Sequence, residues 1–288
     1  MDPEVSRTVS IPYLRFAMKS LLTKPAVLFL LALVVIAAAA PLLVLDTSEH
    51  ANSMDLNRAF LAPFSSSDQG IHLLGTDKFG RDHFSRVVLG SRISLGVGVV
   101  AVAVSLIIGI PVGAFAGYFG GKIDAVLSWL MSVIWSIPTL LLVIALTFVL
   151  GKGIVQVFIA VGLTMWVEVA RIVRGQFFSE KKKEYVEAAK VLGFSKLHII
   201  FREILPNTIG PLTVICATNF ASALLIESGL SFLGIGAQPP LPSWGSMIRD
   251  YYPYLITGQG HLALVPGTLI SLTVLSLNAI STFLKSDS

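Results

Sequence analysis

The sequence predicts an all-α, polytopic membrane protein with six transmembrane helices. Of its 288 residues 54% are apolar and only 13% charged, against about 25% charged in an ordinary soluble domain. The apolar residues gather into six runs: Pro25–Leu45, Ile93–Tyr118, Ala125–Leu150, Ile154–Val173, Ile209–Gly234 and Leu262–Leu284. Each is close to or above the roughly 20 residues that a helix needs to cross about 30 Å of hydrocarbon. None alternates in polarity over roughly 10 residues, as barrel strands do.

Taken in order, residues 1–24 form an N-terminal segment and 25–45 the first span, which is longer than a signal-peptide core and reads as a retained anchor. Residues 46–92 form a loop, 93–284 a core of five spans, and 285–288 a tail. With the N-terminus inside, fourteen of the 21 Lys and Arg fall in cytoplasmic segments and seven outside. That bias places both termini in the cytoplasm of a multi-pass cell-membrane protein. The basic residues form no aromatic-interleaved patch, which argues against nucleic acid as a partner. A lone cysteine, Cys216, excludes an intrachain disulfide and reads as a small buried hydrophobe.

Enzymatic signatures are absent. There is no H-E-x-x-H, G-x-S-x-G or G-x-x-x-x-G-K-S, and His50, His72, His83, His198 and His261 lie without metal-ligand spacing. Neither a metal nor a nucleotide is expected on this chain.

Within the spans, Gly109, Gly113 and Gly117 recur every four residues and predict a face for close helix packing. Pro111 and Pro138 are expected to kink their helices. Glu168 and Glu227 are the acids at membrane depth, where an ionisable group suggests function. For Glu168 an interfacial salt bridge to Arg171 or Arg174 is the simpler account. Glu227 either lines a translocation path or holds a neighbouring helix by a hydrogen bond, and the sequence leaves both open.

Three connections are longer than the rest. The first contains GTDKFGRD at 75–82, where Thr76 or Asp77 is expected to cap a turn and Asp82 a short interfacial helix with Phe84, Val87 and Val88 on its apolar face. The third, 235–261, opens with Gln238-Pro239-Pro240-Leu241-Pro242. The second, 176–207, carries most of the charge and reads as two helices around a glycine. Tyr185, Ala188, Ala189 and Leu192 form one stripe, and Leu197, Ile200, Phe201 and Ile204 the next. Gly193 supplies the left-handed residue between them, Ser195 caps the second helix, and Pro206 closes the unit. Such a knob is either a protein-docking element or an amphipathic hairpin lying on lipid headgroups.

Glu187-Ala188-Ala189, three residues, Gly193, and after a spacer Leu205-Pro206 resemble the EAA loop of ABC importer permeases. HLLGTDKFGRD at 72–82, Ser91–Leu95, Arg174-Gly175-Gln176 and SFLGIGAQPPLPSWGSM at 231–247 are similar to the second permease subunit of dipeptide, oligopeptide and nickel importers. The resemblance spans about Tyr13 to Asn278. It implies a type I ABC importer permease fold and a coupling role for Tyr185, Glu187, Ala188, Ala189, Gly193, Phe194, Leu205 and Pro206. It also implies a paralogous permease partner, two ATPases that hold ATP and Mg, and an extracytoplasmic solute-binding protein. The chain departs from relatives at Glu203, usually His, at Leu45–Ser48, and in a C-terminal end without the usual acidic tail. A proton-driven secondary transporter using Glu168 or Glu227 is the rival reading, and it predicts internal repeats that the two halves do not show.

Overall fold

The computed structural model describes residues 3–44, 54–67, 70–151 and 153–287, and the side chains of 23–44 and of those that follow as far as 285. Leu45–Ser48, Lys152 and the side chains of Arg7, Arg15 and Lys19 lie outside the described residues.

Among the described residues, ten α-helices and one β-hairpin make the fold. Long helices α1 (Pro3–Leu43), α2 (His83–Phe119), α5 (Ile154–Glu180), α8 (Ile209–Phe232) and α10 (His261–Asp287) form a bundle. Between them lie α3 (Gly121–Trp135), α4 (Thr139–Leu150), α6 (Glu184–Val191), α7 (Lys196–His198) and α9 (Trp244–Tyr251). Strands β1 (Ser65–Ser67) and β2 (Gly70–His72) pair antiparallel with Ser65 opposite His72.

Among the described residues five helical runs are long and apolar enough to cross a bilayer, and six when the α3–α4 pair, bent by 90° at its break, is counted as one span. The kink expected at Pro138 is thus a full break, and the run Ala125–Leu150 is two helices. Pro138 lacks the N–H that would continue the ladder and restricts Ile137 before it to extended backbone, so the chain turns between Trp135 and Thr139. At Pro111, by contrast, α2 runs on without a break.

The centre of the bundle is the parallel contact of α2 with α5. A Cβ at Gly109 would lie 2.7 Å from the Trp166 carbonyl oxygen, at Gly113 2.3 Å from that of Ala170, and at Gly117 2.6 Å from that of Arg174. These glycines face a neighbouring helix of the same chain, and any side chain there would push the two backbones apart. Val143 of α4, Val157 and Val161 of α5, Val97 of α2 and Leu230 of α8 fill the middle of the core. Outward faces stay apolar, as at Leu28, Leu31, Phe148 and Val149, as expected of surfaces solvated by lipid.

At one end a platform is built from the β-hairpin, the 75–82 loop and α9. Asp82 caps α2, accepting from the Ser85 N–H at 2.8 Å. The short interfacial helix expected after it is instead the first turn of α2, so Arg92 lies within the helix and not in the loop. Gly80 has φ +75°, and a Cβ there would sit 1.9 Å from the Asp55 carbonyl oxygen, so no other residue fits. At the opposite end α6 and α7 form a compact cap.

Candidate functional site

The cap at residues 180–206 is a seated unit. Tyr185 donates its hydroxyl to Glu180 Oε2 at 2.8 Å, and Lys183 pairs with Glu180 Oε1 at 2.7 Å, which ties α6 to the end of α5. Partial burial, together with the adjacent Glu180 carboxylate, pushes the Tyr185 hydroxyl up to about 12. Val186 and Ala189 are buried against Phe177, Ile199, Ile200 and Ile204.

The buried stripe thus differs from the expected one. Val186 joins Tyr185 and Ala189, whereas Ala188 is exposed and Leu192 is 73% exposed. On the second segment Leu197 and Phe201 are also exposed, and Ile199, Ile200 and Ile204 are the buried residues. Both patterns fit a helical period, and the end of α5 selects which is covered.

Gly193 has φ +79°. Around it the Phe194 N–H donates to the Ala189 carbonyl and the Gly193 N–H to that of Lys190, the paired bonds of a Schellman C-cap. Ser195 Oγ accepts from the His198 N–H at 3.3 Å, so the chain reverses in few residues. The second segment then continues through a π-helical stretch, Ile199–Ile204, and a 3-10 turn, Leu205–Thr208, into α8. Pro206 sits in the first turn of that 3-10 stretch. It does not close the unit, because its missing N–H falls where no helical partner is required. Glu187, Ala188 and Leu192 are exposed, Phe194 is exposed on one side while its ring stacks on that of His198 at 4.6 Å, and Val191 is 88% exposed.

The intramembrane acids differ. Glu227 is fully buried, so it lines no open path in this structure. Its Oε1 accepts from Ser231 Oγ at 2.6 Å, and Ser231 in turn receives the Ser243 hydroxyl at 3.2 Å and the Ala237 N–H at 3.1 Å. The carboxyl holds the loop before α9 to α8. Glu168 is half-buried on α5, and its carboxyl has no hydrogen bond or ion pair among the described residues. The salt bridge expected for it is not made. Arg174 pairs with Asp124 of α3, with Nη2 2.7 Å from Oδ2, and Arg171 lies over the Trp135 ring at 3.9 Å. Lys181 donates to the Gly117 carbonyl at the end of α2, at 2.8 Å. The partners Asp124 and Trp135 were invisible in the sequence because they lie 50 residues from Arg174 and 36 residues from Arg171, although Arg174-Gly175-Gln176 marked one side of the contact.

On the platform, Asp77 is fully buried and accepts from Arg81 Nε and the Tyr251 hydroxyl, each at 2.7 Å, and from the Phe79 and Arg81 N–H groups. Burial alone would raise its carboxyl, but these donors together hold it below the usual carboxylate range. Trp244 anchors α9 by donating Nε1 to the Val87 carbonyl at 3.0 Å and its N–H to Ser94 Oγ at 3.1 Å. Among the described residues no group of three or more His, Cys, Asp or Glu is arranged to hold a metal.

A bundle with one bent traverse, a platform at one end and an exposed helical cap at the other defines a membrane transport subunit. Residues 109–286 match the family model of the binding-protein-dependent transport system inner membrane component, and the chain belongs to that family. It is 40% identical over 231 residues, 77% of this chain and 72% of the relative, to the dipeptide transport system permease protein DppC of Bacillus subtilis. To the glutathione transport system permease protein GsiD of Pectobacterium atrosepticum it is 36% identical, covering 90% of this chain and 83% of that one. To the oligopeptide transport system permease protein OppC of Escherichia coli K12 it is 41% identical, covering 68% and 65%. Among solved structures, an inward-facing MetNI methionine ABC transporter aligns with a TM-score of 0.58 at 16% identity, covering 71% of this chain and 97% of that one. An amino acid ABC transporter with histidines aligns at 0.54 and 15% identity, covering 72% and 95%. These similarities carry the type I importer permease fold. The chain is a multi-pass membrane protein and a transport subunit.

Proposed function

We propose that this chain is one of two different permease subunits that together enclose the path of an ATP-driven importer for small peptides. The observation that carries the reading is the cap. A Schellman-closed helix pair is seated rigidly on α5 and presents Glu187, Ala188, Leu192 and Phe194 outward at the end of the bundle. Small and apolar side chains exposed on a rigid base suit a protein cleft better than solvent, and Tyr185, Ala189, Gly193, Leu205 and Pro206 hold the shape that presents them. The partner is an ATPase subunit carrying the nucleotide and Mg, two of which serve the assembly. A solute-binding protein delivers cargo at the platform end, which faces outward, and both termini face the cytoplasm. Closure of the ATPase pair shifts the cap and, through α5 and the helical run into α8, moves the spans between two accessibility states. The peptide cargo follows the names of the relatives.

The test is uptake of labelled dialanine into proteoliposomes by the assembly of both permeases, the ATPases and the binding protein. The expected result is uptake that requires ATP and survives a proton uncoupler. Uptake that ignores ATP and collapses with the uncoupler would establish the proton-coupled rival.

A further inference from the structure

Glu168 sits close to the middle of α5 (Ile154–Glu180), roughly 20 Å from either end at 1.5 Å per residue. The face of α5 turned to α2 carries Val169, Val173 and Phe177 and is closed. Glu168 and Arg171 lie on the other side, and both are half-buried. Opposite charges three residues apart on a helix ordinarily pair, yet these two do not. Arg171 turns instead to α3, stacking on Trp135 at 3.9 Å and donating from Nη2 to Ser132 Oγ at 3.3 Å. One guanidinium nitrogen is engaged, and the others have no protein partner among the described residues.

Trp135 is the last residue of α3, at the 90° bend, and is 57% exposed. The arginine is therefore held beside a broken helix, where transporters place solute sites because unwound backbone is tolerated only against protein or a wetted cavity. An unpaired carboxylate and a partly free guanidinium against acyl chains would be costly, so this face does not meet lipid. It meets water, solute or another subunit.

Resting on the peptide-import reading above, we propose that Glu168 and Arg171 form a transit site in the path wall for the two charged ends of a small zwitterionic peptide. The ammonium lies against Glu168 and the carboxylate against Arg171. Two opposite charges three residues apart on α5, half-buried and not paired with each other, match a ligand that bears both. A counter-charge from a partner subunit would answer only one of them. The site has a single acid and a single base, which suits binding that must also release.

The experiment uses the assembled importer in proteoliposomes. In a Cys216→Ser background, Glu168→Cys is treated with a membrane-impermeant cationic thiol reagent, with and without saturating dialanine, binding protein and ATP. The expected result is modification that dialanine slows. In parallel, Glu168→Gln and Arg171→Gln should each lower dialanine uptake about tenfold, the size expected for one lost charge-assisted hydrogen bond. Glu168→Asp and Arg171→Lys should recover part of it. An introduced thiol that stays unmodified in every state would mean that the position is packed against protein or lipid, and would overturn the site while leaving peptide import standing. Modification with normal uptake by both glutamine variants would also overturn it. If the wild-type assembly carries no dialanine, the peptide reading itself falls, and the ligand named here falls with it.

Discussion

Single residues set the two ends of the molecule. At the platform, one fully buried carboxylate organises a loop and a distant helix, since Asp77 binds both Arg81 and Tyr251. Removing one partner of such a pair leaves a buried charge uncompensated, at a cost of about 3–5 kcal/mol. Asp77→Asn should therefore lower the thermal midpoint of the solubilised chain and open the 54–82 segment to protease. The folded carboxyl is held below its ordinary value, so its contribution is fully present above the ordinary carboxylate range, about pH 4, and fades as pH falls through the depressed value. Loss of stability on acidification should thus be shallower in Asp77→Asn than in the wild type. Equal midpoints and equal acid profiles would show that the ion pair does not hold the platform. Of this cluster the sequence offered Thr76 or Asp77 as the turn cap, of which Asp77 accepts the Phe79 N–H, and the helix cap at Asp82. Tyr251 lies 174 residues away, and no local pattern couples the two.

Among the elements, the α2–α5 contact fixes the bundle. A side chain at Gly113 would press on the Ala170 carbonyl at 2.3 Å, whereas at Gly175 nothing lies within 4 Å. Gly113→Val should cost about 1–3 kcal/mol through overpacking, while Gly175→Val should cost little. Thermal midpoints of the two variants in the same detergent decide this, and equal shifts would mean that the glycine face is not a close contact. The spans were legible because apolar runs of this length have one structural solution in lipid. The sequence misled where two solutions exist. Proline at 111 reads the same as proline at 138, yet neighbours accommodate one and the chain bends at the other. On α6 the stripes through Ala188 and through Val186 both fit the helical period. Phe177, Ile199 and Ile204 cover Val186, a choice that depends on where the end of α5 points.

For the whole molecule, the proposed orientation rests on the fourteen-to-seven split of basic residues. Cysteines introduced at Ser67 and Ser179 in a Cys216→Ser background should label oppositely with an impermeant reagent applied from outside, the platform position reacting and the cap position protected. Equal labelling would overturn the map. The cap itself was legible through Gly193, whose positive φ the helix-glycine-helix pattern demands. Of the Glu168–Arg171 face the sequence marked Glu168 but offered the two as a pair, and the stacking of Arg171 on Trp135 was not legible.

We propose that residues 180–206 couple this subunit to an ATPase. Co-purification of the ATPase with the paired permeases tests it most directly, comparing wild type with Gly193→Val and Glu187→Lys. At φ +79° a side chain at Gly193 costs about 1–2 kcal/mol, and a β-branched one more, so the helix pair should tilt while the spans, held by α2 and α5, remain inserted. The expected result is both permeases recovered together from each variant with markedly less ATPase bound. Undiminished ATPase recovery with both variants would contradict the claim and leave the cap as a hairpin lying on the membrane surface.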